Sequence, residues 1–152
     1  MVELFDSSCP FCLIINGKMK AEKLYESEKS IAFLDINPIN YGHALVVSKE
    51  HYRDFGELPE DVFVDLVYTL RIVAKAIVDA MSPDGFNIFN NNGTAAGQTV
   101  FHFHFHVAPR YKNDGLKFRP IVKAYDSPEH MSDYAKKIRE KINSTVKLGD
   151  PE

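Results

Sequence analysis

Only two of the 152 residues are cysteine, none is tryptophan, and no stretch approaches 18 consecutive apolar positions. Two cysteines cannot supply the disulfide framework of a small secreted scaffold, so the chain has to fold by core packing. At this length it can bury roughly two thirds of its unfolded surface. The missing apolar run argues against a membrane-spanning helix. The start, MVELFDSSCPFCLII, has no basic segment leading into an apolar one, so no signal peptide is read there and the expected location is the cytoplasm. An excess of one charge is missing too: 18 Lys and Arg against 21 Asp and Glu leave −3, which argues against a nucleic-acid polymer as partner. Repeats and low-complexity tracts are absent. What remains is 45% hydrophobic and 26% charged, the composition of one ordinary soluble domain over 1–152.

Along the chain, LIING after Cys12 reads as a short strand ending at Gly17, followed by strands over 23–26 and 30–35 around the charged turn SEK. A Pro- and Gly-containing turn then precedes the apolar run 44–47, with His43 at its mouth. Pro59 opens the clearest helix, since Val62, Phe63, Leu66, Val67, Leu70, Val73, Ala74, Ile77, Val78 and Met81 recur at three- and four-residue intervals. Ser82-Pro83-Asp84-Gly85 stops it. Strands are expected over 86–89 and 100–108 with a polar loop between them, and a second amphipathic helix over 128–147 carrying Met131, Tyr134, Ile138 and Ile142. The order implies an α+β fold, an antiparallel β meander with one long helix and a C-terminal helix packed on it, the helices on one face.

Residues 101–108 read FHFHFHVA and hold three of the six histidines. Strict alternation has the strand period, so Phe101, Phe103, Phe105 and Val107 can face a core while His102, His104 and His106 share the opposite face. A solvated face would show threonines or lysines rather than three histidines in register, so a site is expected. One metal held by all three is strained. On a regular strand His102 and His106 lie about 13 Å apart at their Cα atoms, whereas zinc ligands sit about 2.0–2.1 Å from the metal. A division of labour along the row fits better. The preceding loop, Asn91-Asn92-Gly93-Thr94-Ala95-Ala96-Gly97-Gln98-Thr99, has small residues that let backbone N–H groups approach an oxyanion, with amide and hydroxyl donors beside them. It lacks the Walker lysine and a GxGxxG pattern. Joined to a histidine strand, it points to phosphoryl or nucleotidyl transfer on an imidazole nucleophile. Cys9-Pro10-Phe11-Cys12 admits two readings, a thioredoxin-like redox pair or half of a tetrahedral zinc site. The strand-like LIING and the absence of a surrounding βαβ pattern argue against the first.

HFHFHVA at 102–108 fits the signature His-φ-His-φ-His-φ-φ, with φ apolar, at every position. Together with GQTVF at 97–101, FLDINP at 33–38 and GHALVV at 42–47, it resembles the histidine triad family of nucleotide hydrolases and transferases over residues 9–110. Residues 111–152 form an extension beyond it. The resemblance implies that His104 attacks the α-phosphorus of a nucleotide and forms a nucleotidyl-histidine intermediate. It implies that His106 holds non-bridging phosphate oxygens, that His43 supports the nucleophile, and that Asp35 accepts from the ribose hydroxyls. Asn91, Gln98 and Thr99 would contact the phosphates, with Gln98 nearest the leaving group and the Gly97 N–H helping. Some members carry a structural zinc, and the corresponding positions here are Cys9, Cys12, His51 and His102; no organic cofactor is implied.

GQTV and HVAPRY are similar to the dinucleoside polyphosphate hydrolase branch, and the absent tryptophan removes any C-terminal specificity element built on one. The expected substrate is an adenine nucleotide cleaved at a phosphoanhydride, with the phosphoramidase branch of the family as the alternative. A nucleotide-binding module with incidental turnover and a metal-handling protein are the readings from other classes. The resemblance also implies a homodimer that joins two sheets. Arg110, Lys112, Lys117 and Arg119 form a basic loop that either meets a polyphosphate tail or is ordinary surface.

Overall fold

The computed structural model describes residues 4–147, so the two ends of the expected 1–152 domain lie outside the described residues. The chain divides into two compact units, one running to Gly115 and one starting at Leu116, and each is described by itself.

In the first unit the order is α1 (Pro10–Ile15), β1 (Lys23–Glu26), β2 (Ser30–Leu34), β3 (Ala44–Ser48), α2 (Glu60–Met81), β4 (Gly85–Phe89) and β5 (His104–Arg110). The five strands form one antiparallel sheet in the order β1-β2-β3-β5-β4. The expected α+β class and antiparallel sheet are observed. The meander departs from chain order only at its end, where β5 inserts between β3 and β4.

The period-2 pattern sorts the strands onto two cores. Ala32, Ala44, Val46 and Val107 face α2, which lays Val62, Leu66, Leu70, Val73, Ala74 and Ile77 over them. These positions recur every three or four residues, so one stripe of the helix covers the sheet. The helix ends as expected: Ser82 turns left-handed at φ 45° and donates to the Val78 carbonyl, and Pro83 cannot continue the ladder. On the opposite face Ile31, Phe33, Leu45 and Val47 pack against Cys9, Phe11 and Cys12.

That second core corrects two expectations. LIING is not a strand, because residues from Pro10 to Ile15 are helical, and α1 covers the sheet face opposite α2, so the helices do not share one face. Proline sits at the first helical position, where its missing N–H costs nothing, and Gly17 at φ 70° allows the chain to turn out. This bracket outweighs the modest helix penalty of Ile14 and Ile15. A third correction concerns the histidine strand, which begins at His104 rather than near residue 100. The Phe103 N–H donates to the Tyr52 carbonyl, 2.6 Å away, instead of joining the sheet ladder.

In the second unit the expected helix is present as α3 (Pro128–Lys147). Met131, Tyr134, Ile138 and Ile142 are each about half exposed along it.

Candidate functional site

Strand register places the site. Phe33 lies opposite Leu45 and Leu34 opposite Ala44, and the Asp35 N–H continues this ladder onto the His43 carbonyl at 2.9 Å. Across β3, Leu45 faces His106 and Val47 faces His104, while Phe89 on β4 also faces His106. Asp35, His43, His106 and His104 therefore come from three neighbouring strands on the face opposite α2. They include all four groups that carry charge or imidazole chemistry in the expected nucleotide site.

Their hydrogen bonds fix where the protons sit. A carbonyl can only accept, so His104 donates from Nδ1 to the His102 carbonyl at 2.7 Å and leaves Nε2 with a free lone pair. The Ile39 N–H donates to His43 Nδ1 at 3.2 Å, so neutral His43 carries its proton on Nε2 and gives it to His106 Nδ1 at 2.9 Å. His106 in turn carries its proton on Nε2. One imidazole thus offers a nucleophilic nitrogen and its neighbour offers a donor. Burial lowers the pKa of His43 and of His104, against an opposing pull from the Asp35 carboxylate in both cases. It takes His106 down to about 3, with the His104 and His43 rings acting in the same direction. Each of these shifts favours the neutral ring. Asp35 holds Oδ2 at 3.7 Å from His43 Nε2, and its Oδ1 accepts from the Asn37 N–H. Two aromatic residues that sequence reasoning passed over set the ring planes. Phe89 stacks on His106 at 4.3 Å and 7°, and Phe11 stands edge-on to His104 at 5.0 Å. Phe89 follows from its register with His106; Phe11 was hidden by the mistaken strand.

The loop between β4 and β5 differs from expectation at two residues. Gln98 is 4% exposed and its amide is spent inside the protein: Oε1 accepts from the Gly93 N–H at 2.7 Å, and Nε2 donates to the Arg53 and Val100 carbonyls. The Gly97 N–H is likewise used, donating to the Thr94 carbonyl, and Gly97 serves instead through its φ of 89°. Asn91 is half-buried close to Gly97, and Thr99 is exposed. Asn90, which sequence reasoning did not single out, donates to the His104 carbonyl at 2.8 Å. Arg110 does not project toward a free anion, since Asp114 and Asn87 accept from its guanidinium at 2.7 Å.

A second cluster lies on the same sheet face. Cys9, Cys12, His51 and His102 converge with all four candidate ligand atoms within 4.8 Å of one another. Their S···N separations are 3.4 Å for Cys9 and His102, 3.4 Å for Cys12 and His51, and 3.5 Å for Cys12 and His102. Tetrahedral zinc with bonds of about 2.3 Å to sulfur and about 2.0–2.1 Å to nitrogen needs S and N about 3.5 Å apart. The donor set therefore fits zinc in kind and in spacing. His102 supplies the supporting bond such a ligand requires, donating from Nε2 to the Ser48 carbonyl at 2.7 Å and turning its Nδ1 lone pair to the sulfurs. Burial raises the Cys12 thiol above its ordinary value, so a thiolate there calls for a cation beside it. The helical start of α1 removes the sequence argument against a redox pair, but the two histidines at the sulfurs replace it.

An antiparallel sheet that carries a relayed row of neutral histidines, with a Cys₂His₂ centre at one end of the row, defines a histidine-based transfer or binding protein. Comparison with known proteins places it further. The HIT domain matches residues 16–113, and the chain belongs to the HIT family. It is 49% identical over 115 residues to an uncharacterised HIT-like protein of Methanocaldococcus jannaschii, covering 74% of this chain and 88% of that one. To an adenosine 5′-monophosphoramidase of Schizosaccharomyces pombe it is 38% identical over 145 residues, 92% of this chain and 99% of the relative. An adenylylsulfatase of Arabidopsis thaliana is 41% identical over 110 residues, 72% of this chain and 56% of that protein. Among solved structures, a HIT family member from Bacillus subtilis superposes with a TM-score of 0.83 at 38% identity, covering 88% of this chain and 96% of the other. A Zn-bound histidine triad protein from Mycobacterium smegmatis gives 0.68 at 39% identity, covering 76% and 84%.

Proposed function

We propose that the protein is a nucleotide hydrolase or transferase in which His104 takes a nucleoside monophosphate from a phosphoanhydride such as a dinucleoside polyphosphate. The observation that carries this reading is the bond from His104 Nδ1 to the His102 carbonyl, which leaves Nε2 as the nucleophile. Nε2 attacks the α-phosphorus, the bond to the leaving group breaks, and the ring becomes a cationic nucleotidyl-imidazole. The His102 carbonyl then faces that developing charge through the same 2.7 Å bond. Water attacks the phosphorus, the P–N bond breaks, the monophosphate leaves and neutral His104 returns. His106 donates from Nε2 to a non-bridging oxygen, and His43 holds it in that tautomer. Asp35 accepts from the ribose hydroxyls.

The names of the relatives favour a second leaving group. Adenosine 5′-monophosphoramidase and adenylylsulfatase are activities on adenylates other than dinucleotides, and the same nucleophile serves a P–N or a phosphosulfate bond. Incubating the protein with diadenosine tetraphosphate and, separately, with adenosine 5′-phosphoramidate, for wild type and His104→Ala, tests both. We expect AMP release to fall on the order of a thousandfold or more in the variant, and the faster substrate identifies the branch. Binding of both without turnover, unchanged by the substitution, leaves a binding module instead.

Zinc at Cys9, Cys12, His51 and His102 is part of the same proposal. Fully ligated by protein, it supplies a structural cross-link between α1, β3's far end and the start of β5. The proposed assembly is a homodimer. β4 ends the sheet, and Phe86 and Ile88 on it stand exposed beside Val67 of α2, an apolar strip that a second copy would cover.

A further inference from the structure

The metal cluster and the nucleotide loop are held by one short segment. His51 contributes its Nδ1 to the cluster. In the four residues that follow, the Tyr52 carbonyl accepts from the Phe103 N–H at 2.6 Å, the Arg53 carbonyl accepts from Gln98 Nε2 at 2.8 Å, and the Phe55 N–H donates to Asn92 Oδ1 at 2.8 Å. Asn92 is further tied by its own amide to Asn90 Oδ1, and Asn90 holds the His104 carbonyl. Gln98 closes the loop from inside by accepting from the Gly93 N–H. On the other side His102 is at once a cluster residue and the acceptor for His104 Nδ1. Hydrogen bonds from Arg53 and Phe55 thus hold the loop at Gln98 and at Asn92, and the segment that makes them follows directly on a candidate ligand.

We infer that residues 51–55 are a strap through which the Cys₂His₂ centre holds the loop at 92–98, and that Gln98 and Asn92 are positioning residues acting through it. The physical reason lies in the loop's composition. Its stretch from Gly93 to Gly97 is glycine, threonine and alanine, with Thr94, Ala95, Ala96 and Gly97 exposed, so it has almost no apolar burial of its own to define it. Two glycines at positive φ lower its cost of rearrangement. A buried amide with three of its hydrogen-bonding positions on backbone is what holds such a loop in one shape. With the strap anchored, the loop keeps the curvature that would receive a phosphate. With it released, the loop samples many shapes and the nucleotide must select one. The catalytic consequence rests on the function proposed above; the mechanical coupling does not.

The test uses the full chain loaded with zinc and compares four samples: wild type, chelator-treated wild type, Gln98→Ala and Gln98→Glu. Amide hydrogen exchange at Phe55, Ala96 and Leu70, zinc content, and KM and kcat for AMP release are read on each. Removing zinc is expected to speed exchange at Phe55 and Ala96 at least about tenfold and to leave Leu70, inside α2, protected. Gln98→Ala is expected to keep one zinc per chain, to show the same faster exchange, and to raise KM about tenfold with kcat within about threefold, because His104 keeps its own anchor. Gln98→Glu retains the acceptor for Gly93 and is expected to fall between the two.

Unchanged exchange at Phe55 and Ala96 after zinc removal overturns the strap. So does loss of protection at Leu70, since the metal would then hold the whole fold rather than the loop. A Gln98→Ala protein with wild-type exchange and KM overturns the positioning role. Exchange and zinc content do not depend on turnover, so a wild type that cleaves neither substrate contradicts the proposed function and leaves the strap to be decided by those two readouts.

Discussion

His106 refuses a proton, and the reasons are local. It is stacked on Phe89, receives a hydrogen bond from His43, and is faced by His104 on its own strand and by His43 from the start of β3, with Asp35 at the end of β2 the one anion in the group. Burial and the two neighbouring rings bring its pKa to about 3. An unfolded chain binds this proton near pH 6.5, so between there and about 3 the unfolded state holds more protons than the folded one. Stability is therefore complete above about pH 6.5 and is lost as pH falls toward the folded value. His106→Asn is expected to flatten the decline in urea midpoint between pH 7 and pH 4.5 relative to wild type; an identical decline would show that His106 takes its proton in the folded state as readily as in the unfolded. At this scale much of the site was legible. The row with His104 and His106 was named from residue type and spacing, His43 and Asp35 from the family resemblance, and register brings the four together. The backbone bonds of Gln98 were not legible, because an amide beside glycine reads the same whether it reaches a ligand or three backbone groups.

At the scale of the element, α2 carries one core and α1 the other. Leu66 is fully buried in the stripe that α2 lays on β2, β3 and β5. Leu66→Ala is expected to cost about 2–5 kcal/mol in chemical denaturation while leaving the zinc content at the Cys₂His₂ centre unchanged, since that centre lies across the sheet; a loss below 1 kcal/mol, on the order of a surface change, would contradict the packing. The same helix is pinned to the first hairpin by Asp65, which accepts from the Ser30 and Ser27 hydroxyls, and by Thr69, whose hydroxyl lies 2.7 Å from that of Ser30. The periodicity of α2 was long enough to read without ambiguity. Six residues of α1 were not, because β-branched Ile14 and Ile15 suit a strand equally well and only Pro10 and Gly17 mark the helix. The start of β5 was misplaced for a related reason. Alternation says which residues share a face, and it cannot say where the ladder of backbone bonds begins.

For the molecule as a whole, the two cores, the Cys₂His₂ centre and the histidine row all use one sheet, which leaves β4 as the edge nearest the site. If a second copy covers that edge, light scattering on the full chain should give twice the 17.3 kDa of one chain, and Ile88→Lys should give the monomer. A monomeric wild type would reject the assembly and leave the strip to another partner. Among the described residues no helix is long and apolar enough to cross a membrane. The most direct test of the account is the mass of the protein itself, quenched in acid-free denaturant within the first turnovers on adenosine 5′-phosphoramidate or diadenosine tetraphosphate. The account expects a fraction of the chain heavier by one adenylyl group, with the adduct mapped to His104 and absent from His104→Ala. AMP release without any adduct, at a rate that His104→Ala retains, would contradict it.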